Sequence, residues 1–294
     1  RTPQVIVEKN TGRIVAILAG RPSDPSYVES MLRATDAILR AREQADFTHD
    51  ECHHDRADDS AALNYGIYYG GGGEVPGNLK NGRHTEILEA LVSNPDLSRM
   101  ASFADAAFRL WSPDAYESVR EVVNKLCEHD PRIVKTWDAN AYPCAAFNFG
   151  PQVRCKPHKD SGNSPKTLCA IQAFGRFDPT KGGHLYIREL QVFIQFPAGS
   201  TILIPSALLT HGNTPVAPHE VRLSFTQFVP WGLFRYVDSG FCAEAGLLRK
   251  SKRLYREKMA ERSGRWERDL KTIPTLKRLK EGIVSRRVVS TGDF

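Results

Sequence analysis

The feature that most constrains the fold is a run of short, alternating apolar segments between residues 133 and 228. Strands are predicted at 133–137, 145–150, 155–158, 167–174, 184–187, 191–196, 200–204 and 222–228. They follow one another about every ten residues, with turn-forming sequence such as 178–183 between them and no helical pattern interrupting the run. Parallel strands would need long crossover connections, so this spacing predicts an antiparallel barrel or jelly roll.

Helical patterns surround this run on both sides. A β-hairpin is predicted at 4–18, where two apolar segments flank a turn that contains Gly12. Helices are predicted at 24–42, 85–92, 97–110, 113–129 and, after the strands, 243–262. The expected fold class is α+β: a jelly-roll core backed by helices, with the hairpin and first helix as a cap and a basic helical tail.

Three regions follow from these patterns. Residues 1–130 would form the cap and the helices that back the sheet, and they include a predicted flexible loop at 45–82. Residues 131–241 would form the catalytic core, and residues 242–294 a basic helical extension. A chain of 294 residues with 41% hydrophobic content can bury a large core, so we expect one integrated domain.

Composition narrows the class of protein. No apolar run reaches the roughly 20 residues needed to span a bilayer, and the first residues do not resemble a signal peptide, so a soluble intracellular protein is expected. The six cysteines are scattered without a C-x-x-C pair. This distribution argues against a zinc ribbon or a disulfide framework and for a reducing compartment.

The positive charge is concentrated at the C-terminus. Residues 249–294 carry fifteen Lys or Arg and six Asp or Glu, a surplus of nine, whereas the whole chain has a net charge of +6. Basic side chains with the interleaved aromatic Trp266 can bind phosphates without sequence preference. A solvated amphipathic helix explains the same pattern equally well.

The segment 45–82 lacks periodicity and holds two unusual clusters. A group of His and acidic residues lies at 49–55, but neighbouring histidines rarely face one ion together, so a solvated loop is favoured over a metal site. The glycines at 70–73 permit the backbone conformations that a closing flap needs, and disorder is an equal alternative.

Two histidines and one aspartate have the spacing of a metal centre. His158 and Asp160 are two residues apart on a predicted strand, so both side chains can face the barrel interior. His211 follows 53 residues later (211 − 158), at the end of another apolar segment. Two histidines and one carboxylate are typical of a facial iron site with open coordination positions. His184 and His219 are alternatives, but a glycine turn and a predicted hairpin tip place them at the surface.

A cation lies at a suitable distance from this group. Arg222 follows His211 by eleven residues (222 − 211) and alternates with Ser224, Thr226 and Phe228 on one face of a predicted strand. The guanidinium offers a planar fork for a carboxylate, and Ser224 a hydroxyl for the same group. These two residues are therefore candidates for anchoring an organic diacid, with an ordinary cross-strand salt bridge as the alternative for Arg222.

The same residues resemble a known family. The motifs at 158–160, 211 and 222–224 resemble the core of the Fe(II)- and 2-oxoglutarate-dependent dioxygenases, which have a double-stranded β-helix fold. Residues 158–163 match the His-x-Asp-x-x-Asn pattern of the TET/JBP branch, which oxidises methylated bases in nucleic acid. The segments 177–185, 203–206 and 224–228 are similar to its fungal, mainly mushroom, members. The resemblance covers about 142–241.

The resemblance implies cofactors and ligands. His158, Asp160 and His211 would bind Fe(II), and Arg222 and Ser224 would anchor the distal carboxylate of 2-oxoglutarate. The cysteine-rich zinc module of the animal members is absent from this sequence.

The resemblance also implies substrate contacts. Asn163 would contact the polar edge of the target base, although a loop Asn that satisfies local backbone is an equal alternative. Phe228 matches the aromatic position that stacks on the base, and core packing is its alternative. Many members carry a His two residues later, where this chain has Pro230, so part of the recognition must differ. Asn148, ten residues before His158, is our candidate for the near carboxylate of 2-oxoglutarate, with backbone bonding as its alternative.

Three functions remain open from the sequence. The first is oxidation of methylated bases in duplex DNA, with the base flipped out, acting on 5-methylcytosine through its hydroxymethyl, formyl and carboxyl forms and also demethylating N6-methyladenine. A nuclear monomer is expected in that case, on the basis of the family and the basic tail. The second is a 2-oxoglutarate-dependent hydroxylase of a protein side chain or small molecule. The third, a non-catalytic binding module, is disfavoured by the complete set of ligands.

Overall fold

A computed structural model describes residues 2–57, 59–264, 269 and 271–281. Its strands are β1 Gln4–Val7, β2 Ile14–Gly20, β3 Ala61–Tyr68, β4 Gly77–Asn78, β5 Cys144–Phe149, β6 Cys169–Arg176, β7 Leu185–Ile187, β8 Val192–Ile194, β9 Thr201–Ile204, β10 His211–Asn213 and β11 Val221–Phe228. Its helices are α1 Pro25–Ala45, α2 His49–Cys52, α3 Thr85–Val92, α4 Pro95–Trp111, α5 Pro113–His129, α6 Trp231–Asp238, α7 Glu244–Lys250 and α8 Lys252–Ser263.

The strands form two antiparallel sheets. The larger has the order β1-β2-β9-β6-β11-β5-β3-β4, and the smaller has the order β10-β7-β8. Ile171 and Phe228 from the larger sheet share one buried cluster with Leu185 and Ile194 from the smaller sheet, so the two sheets pack face to face. This arrangement confirms the predicted jelly-roll core. The N-terminal hairpin extends the larger sheet, because β2 pairs with β9.

Helices cover the opposite face of the larger sheet. Leu223 and Phe225 of β11 belong to a second buried cluster with Met31 of α1, Leu88 of α3 and Leu97 of α4. Because side chains alternate along a strand, this packing turns residues 222, 224, 226 and 228 toward the space between the sheets. The predicted sheet-backing helices are therefore confirmed, and they determine which face of β11 is available for a site.

Local sequence signals set the helix boundaries. At α1 the Asp24 carboxylate accepts a hydrogen bond from the Ser26 backbone N–H (3.0 Å), with Pro25 in the first turn. At α4 the Asn94 side chain accepts from the N–H groups of Asp96 (2.9 Å) and Leu97 (3.1 Å). These caps satisfy donors that a helix leaves without intrahelical partners, and so the predicted helices begin close to the observed ones.

The segment 45–82 differs from its prediction as a loop. It contains α2 and β3, and β3 pairs with β5 from Ala61↔Phe149 to Gly66↔Cys144. Gly66 is required there, because an added Cβ would lie 2.1 Å from the Pro143 carbonyl oxygen. Asn64 and Gly66 have low strand propensity, so the strand depends on a partner about 80 residues away rather than on local propensity.

Two predicted strands are not strands. At 133–137 the Val134 backbone N–H and C=O bind the Asn78 side chain (2.9 and 2.7 Å) instead of a neighbouring strand. At 155–158 the Asn213 side chain of β10 accepts from the Cys155 N–H (2.9 Å), and among the described residues bridge pairing with β10 occurs only at His158. Side chains thus replace backbone partners at Val134 and at the Cys155 N–H, which strand propensity does not register.

The remaining differences lie near the C-terminus. The helix predicted at 243–262 is divided at Ser251 into α7 and α8, and α6 was not predicted. Trp266 and residues 282–294 lie outside the described residues. No helix in the described part of the chain combines the length and apolar character needed to cross a bilayer.

Candidate metal centre and cofactor pocket

A cavity of about 360 Å³ lies between the two sheets. All eight predicted site residues line it: Asn148, His158, Asp160, Asn163, His211, Arg222, Ser224 and Phe228. They come from β5, the 155–163 segment, β10 and β11, so the fold brings together residues up to 80 positions apart (228 − 148). The cavity thus joins the candidate metal ligands to the candidate diacid anchors.

Among the described residues, one group of three side chains could ligate a metal ion, and it consists of His158, Asp160 and His211. One ligand atom from each of them lies within 4.8 Å of the other two. Nε2 of His158 is 3.6 Å from Oδ1 of Asp160, and Nε2 of His211 is 3.8 Å from Oδ2. Backbone bonds fix the two histidines side by side, since each N–H donates to the carbonyl of the other (3.0 and 2.9 Å). The arrangement can hold one metal ion.

Backbone carbonyls fix the tautomer of both imidazoles. Nδ1 of His158 contacts the Lys156 carbonyl oxygen (2.8 Å), and Nδ1 of His211 contacts the Leu209 carbonyl oxygen (2.9 Å). A carbonyl only accepts, so each Nδ1 carries the proton and each Nε2 presents a lone pair toward Asp160. Burial and the neighbouring His211 lower the pKa of His158, which favours the neutral, ligating form.

Asp160 is held by two donors. Nη1 of Arg56 lies 2.8 Å from Oδ1, and Nδ2 of Asn163 lies 3.3 Å from Oδ2. Asn163 Nδ2 also donates to the Ser206 hydroxyl (3.1 Å). A carboxylate offers about four lone-pair sites, so these bonds orient the group and leave acceptor capacity on both oxygens. Arg56 was missed in the sequence, because it lies in the segment without periodicity.

Arg222 is buried without a counter-ion. Its side chain is only 2% exposed, its Nε has no hydrogen-bond partner, and one Nη1 bond reaches the Val153 carbonyl oxygen (3.3 Å). Burial lowers the pKa of Arg222 to about 10, so the group remains charged at neutral pH. No carboxylate of the described residues pairs with it, and the alternative of a cross-strand salt bridge is wrong for this part of the chain. An unpaired buried cation facing a cavity is suited to an anionic ligand.

Ser224 and Asn148 extend this polar wall. They are register partners on β11 and β5, and the Asn148 Nδ2 donates to the Ser224 hydroxyl oxygen (3.0 Å). The Ser224 hydroxyl hydrogen therefore stays available for an acceptor in the cavity. The bond also shows that Asn148 is oriented by a side chain, and not by backbone as the sequence alternative proposed.

Aromatic side chains close one end of the cavity. Phe228 at the end of β11 is almost fully buried, and Tyr68 at the end of β3 packs against the cluster that contains it. Between them β5 presents the small side chain of Ala146 to the cavity. Tyr68 was not among the predicted site residues, because it lies in the segment that was predicted to be a loop, and the pairing of β3 with β5 brings it here.

The competing histidines lie elsewhere. The Nε2 of His184 contacts the Pro179 carbonyl oxygen (2.8 Å), and neither His184 nor His219 lines the cavity. His49 and His53 stack on each other at 3.8 Å between ring centroids on the exposed surface of α2.

Comparisons with known proteins agree with this architecture. No protein-family model matches the chain, and no curated protein matches it in sequence. NgTET1, solved in complex with 5mC DNA, superposes with a TM-score of 0.52 and 14% identity over 79% of this chain and 78% of its own. OsALKBH1 gives 0.41 and 11% over 78% and 100%, and a collagen prolyl hydroxylase of Paramecium Bursaria Chlorella virus-1, solved as a 2OG complex, gives 0.31 and 11% over 67% and 88%.

The likeness to NgTET1 concerns the fold, which is the double-stranded β-helix. The fold and the cavity together define a double-stranded β-helix protein with a two-histidine, one-aspartate group able to bind a metal ion.

Proposed function

We propose that the protein is an Fe(II)- and 2-oxoglutarate-dependent dioxygenase that oxidises methylated bases in DNA. The observation that carries the proposal is the presence, in one cavity, of the His158–Asp160–His211 group and the buried, unpaired Arg222. A metal-binding group alone is common to many classes of protein. A metal-binding group together with a buried guanidinium is what an enzyme needs to hold an organic acid against the metal.

The donor set suits Fe(II). Two neutral imidazoles and one carboxylate would hold Fe(II) and are a donor set that this ion accepts. When bound, Fe(II) and 2-oxoglutarate would supply the oxidising chemistry with O2 as the oxidant: one oxygen atom enters succinate as 2-oxoglutarate loses carbon dioxide, and the other hydroxylates a substrate C–H bond. The chain itself orients these groups and excludes water from the cavity.

The residues beyond the metal ligands have distinct roles in this proposal. Arg222 would hold the distal carboxylate of 2-oxoglutarate through its planar fork, and the Ser224 hydroxyl would donate to the same carboxylate. Asn148 would lie against the near carboxylate and position Ser224 through their 3.0 Å bond. A cation buried in a cavity from which water is excluded binds an anion more strongly than an exposed one.

The substrate is inferred from three supports. The motif at 158–163 resembles the TET/JBP branch, the fold is similar to that of NgTET1, which was solved with 5mC DNA, and aromatic side chains close the cavity. Phe228 would stack on a flipped base. Asn163 would accept from the exocyclic amino group through Oδ1, because its Nδ2 is bonded to Asp160 and Ser206.

The proposed reactions follow from the methyl group that enters the cavity. 5-Methylcytosine would pass through the hydroxymethyl, formyl and carboxyl forms, each step removing hydrogen from the same carbon. N6-Methyladenine would lose its methyl group, because hydroxylation gives a hemiaminal that releases formaldehyde. Membership of the TET/JBP branch and a nuclear location belong to the same proposal.

The test is incubation with Fe(II), 2-oxoglutarate and duplex DNA carrying 5-methylcytosine or N6-methyladenine at defined positions. We expect succinate and oxidised or demethylated nucleosides in mass spectrometry, and neither product from His211→Ala. If succinate forms but no base product does, the protein is a 2-oxoglutarate-dependent dioxygenase that acts on another substrate, such as a protein side chain. If the wild-type protein supplied with Fe(II) forms neither succinate nor modified nucleosides, the proposal is wrong.

A further inference from the structure

A pair of aromatic rings lies on the outer face of the smaller sheet, away from the metal centre. Tyr186 of β7 and Phe193 of β8 are register partners, and their ring centroids are 5.9 Å apart at an interplanar angle of 52°. Phe193 is 70% exposed, the highest value among the exposed large apolar residues in the described part of the chain. The exposed Phe193 ring beside the half-buried Tyr186 ring gives two aromatic faces on one surface, and we treat this surface as a candidate contact site.

A glycine allows Tyr186 to lie across the neighbouring strand. Gly212 of β10 is its register partner, and a Cβ there would lie 2.2 Å from the Tyr186 hydroxyl oxygen and 2.6 Å from the Cys155 carbonyl oxygen. A groove of about 250 Å³ lies between the two rings and the 154–157 segment. We name it the Tyr186–Phe193 groove.

The charges of the groove have one sign. Arg154 and Lys156 line it, and none of its described lining residues carries a carboxylate. The Glu189 carboxylate, in the turn between β7 and β8, is bound to Lys159 (3.1 Å) and to the Thr210 N–H and hydroxyl (2.7 and 2.8 Å). The acidic group nearest in sequence to the rings is therefore neutralised, and Arg154 places a cation beside the aromatic faces.

The groove and the metal cavity share a wall. Cys155 and Asn213 line both of them, so the two spaces lie on opposite sides of the segment that leads into His158. A polymer bound in the groove would therefore be separated from the metal centre by the segment that contains Cys155. The groove could thus contact the part of a long substrate next to the unit that reacts.

We propose that the Tyr186–Phe193 groove binds an unpaired nucleic-acid strand, with bases on the two rings and a phosphate at Arg154. Every base has an aromatic face, so stacking on Tyr and Phe tolerates any sequence, and a cation beside the rings binds the backbone. The inference rests on the proposed function only in its choice of nucleic acid as the partner. It adds a second contact outside the catalytic cavity and names the residues that provide it.

The experiment measures fluorescence anisotropy of a labelled, unmethylated oligothymidine of twelve nucleotides with the full chain, without Fe(II) or 2-oxoglutarate. Phe193→Ala should weaken binding at least about five-fold, because base stacking on one aromatic side chain accounts for a factor of this order. Arg154→Gln should weaken binding. It should also reduce the slope of log Kd against log salt concentration by about one, the value expected for one lost phosphate contact. Matched controls are Leu110→Ala, an exposed apolar residue of α4, and Arg120→Gln of α5, which should bind as the wild type does.

Base oxidation by the wild-type protein is measured in parallel, so the two proposals fail separately. Unchanged binding in Phe193→Ala and Arg154→Gln would overturn the groove even if methylated DNA is oxidised. Weakened binding in both variants, with controls unaffected, would support the groove even if no base is oxidised. All four substitutions change exposed side chains, and thermal unfolding checks that each variant remains folded.

Discussion

Arg56 and Asp160, 104 residues apart in sequence, are joined by a 2.8 Å hydrogen bond between Nη1 and Oδ1. A second bond, from the Lys156 N–H to the Arg56 carbonyl oxygen (2.8 Å), fastens the same segment to the 155–160 segment, which carries His158. The segment before β3 is thereby attached to the metal centre at two points. Arg56 contacts the candidate metal ligand without being a ligand itself, so we regard it as a positioning residue.

Arg56→Ala should weaken Fe(II) binding about 10-fold or more, because groups that orient a metal ligand typically contribute factors of 10 to 100. The measurement is a titration of the apoprotein with Fe(II) under anaerobic conditions. Arg56→Lys keeps a positive charge near Asp160 and should recover part of the affinity. Equal affinity in the wild type and Arg56→Ala would exclude a positioning role.

His158→Ala and Asp160→Ala should each abolish succinate production while the protein remains folded. Each variant removes one of three candidate ligands, and the remaining two cannot hold the ion in the facial geometry. Succinate is measured in the presence of excess Fe(II), and circular dichroism checks the fold. Full activity in either variant contradicts the assignment of the metal centre.

Arg222→Lys should raise the KM for 2-oxoglutarate about 10- to 100-fold with a smaller change in kcat. The ammonium keeps the charge but loses the planar fork, and a hydrogen bond to a charged group contributes about 1.5–3 kcal/mol. Arg176→Lys is the matched control, because Arg176 lies on the adjacent β6 but pairs with Asp36 at the surface (2.9 Å). If Arg222→Lys has the same KM for 2-oxoglutarate as the wild type, Arg222 does not bind the cosubstrate.

Phe228→Ala should reduce base oxidation more than the uncoupled turnover of 2-oxoglutarate. The ring is proposed to contact the base and not the cosubstrate, so its loss separates the two rates. Phe228→Leu retains apolar volume in this buried position and controls for the cavity that alanine leaves. Equal loss of both rates in the two variants argues for a packing role only.

Gly175→Ala should lower the free energy of unfolding by about 2–4 kcal/mol, since overpacking and a positive φ both act against alanine. Gly175 pairs with Arg222 at φ +126°, and an added Cβ would lie 2.0 Å from the Val221 carbonyl oxygen. Gly12→Ala is the control, because Gly12 has φ +67° with no atom within 4 Å of the added Cβ, and it should cost about 1 kcal/mol. Chemical denaturation of both variants gives the comparison.

The candidate site residues were accessible from sequence because their residue types and spacings are local properties of the chain. Arg222, Ser224 and Phe228 alternate on β11 and therefore share one face of that strand. His158 and Asp160 were expected to share a face of a strand, but their segment is not a strand, and backbone bonds between His158 and His211 place the two histidines side by side. The structure brings these side chains into one cavity, as expected. Their roles in binding iron, cosubstrate and base remain proposals with the tests above.

Arg56, Tyr68 and the Tyr186–Phe193 groove were not accessible in the same way. Arg56 and Tyr68 lie in a segment whose strand contains Asn64 and Gly66, two residues of low strand propensity, and this strand pairs with β5. The alternation of Leu63, Tyr65 and Ile67 is the one local signal of this strand. The groove lies between the rings of two strands and the 154–157 segment, which only the fold brings together.

The sequence by itself determined the antiparallel core, the sheet-backing helices and the identity of the candidate metal ligands, because alternation, capping and residue chemistry are set by neighbours along the chain. Only the tertiary structure decided that Asp160 is held by Arg56, that Arg222 is buried without a counter-ion and that Tyr68 reaches the cavity. These relationships depend on long-range strand pairing and burial, and both arise only when distant segments pack together.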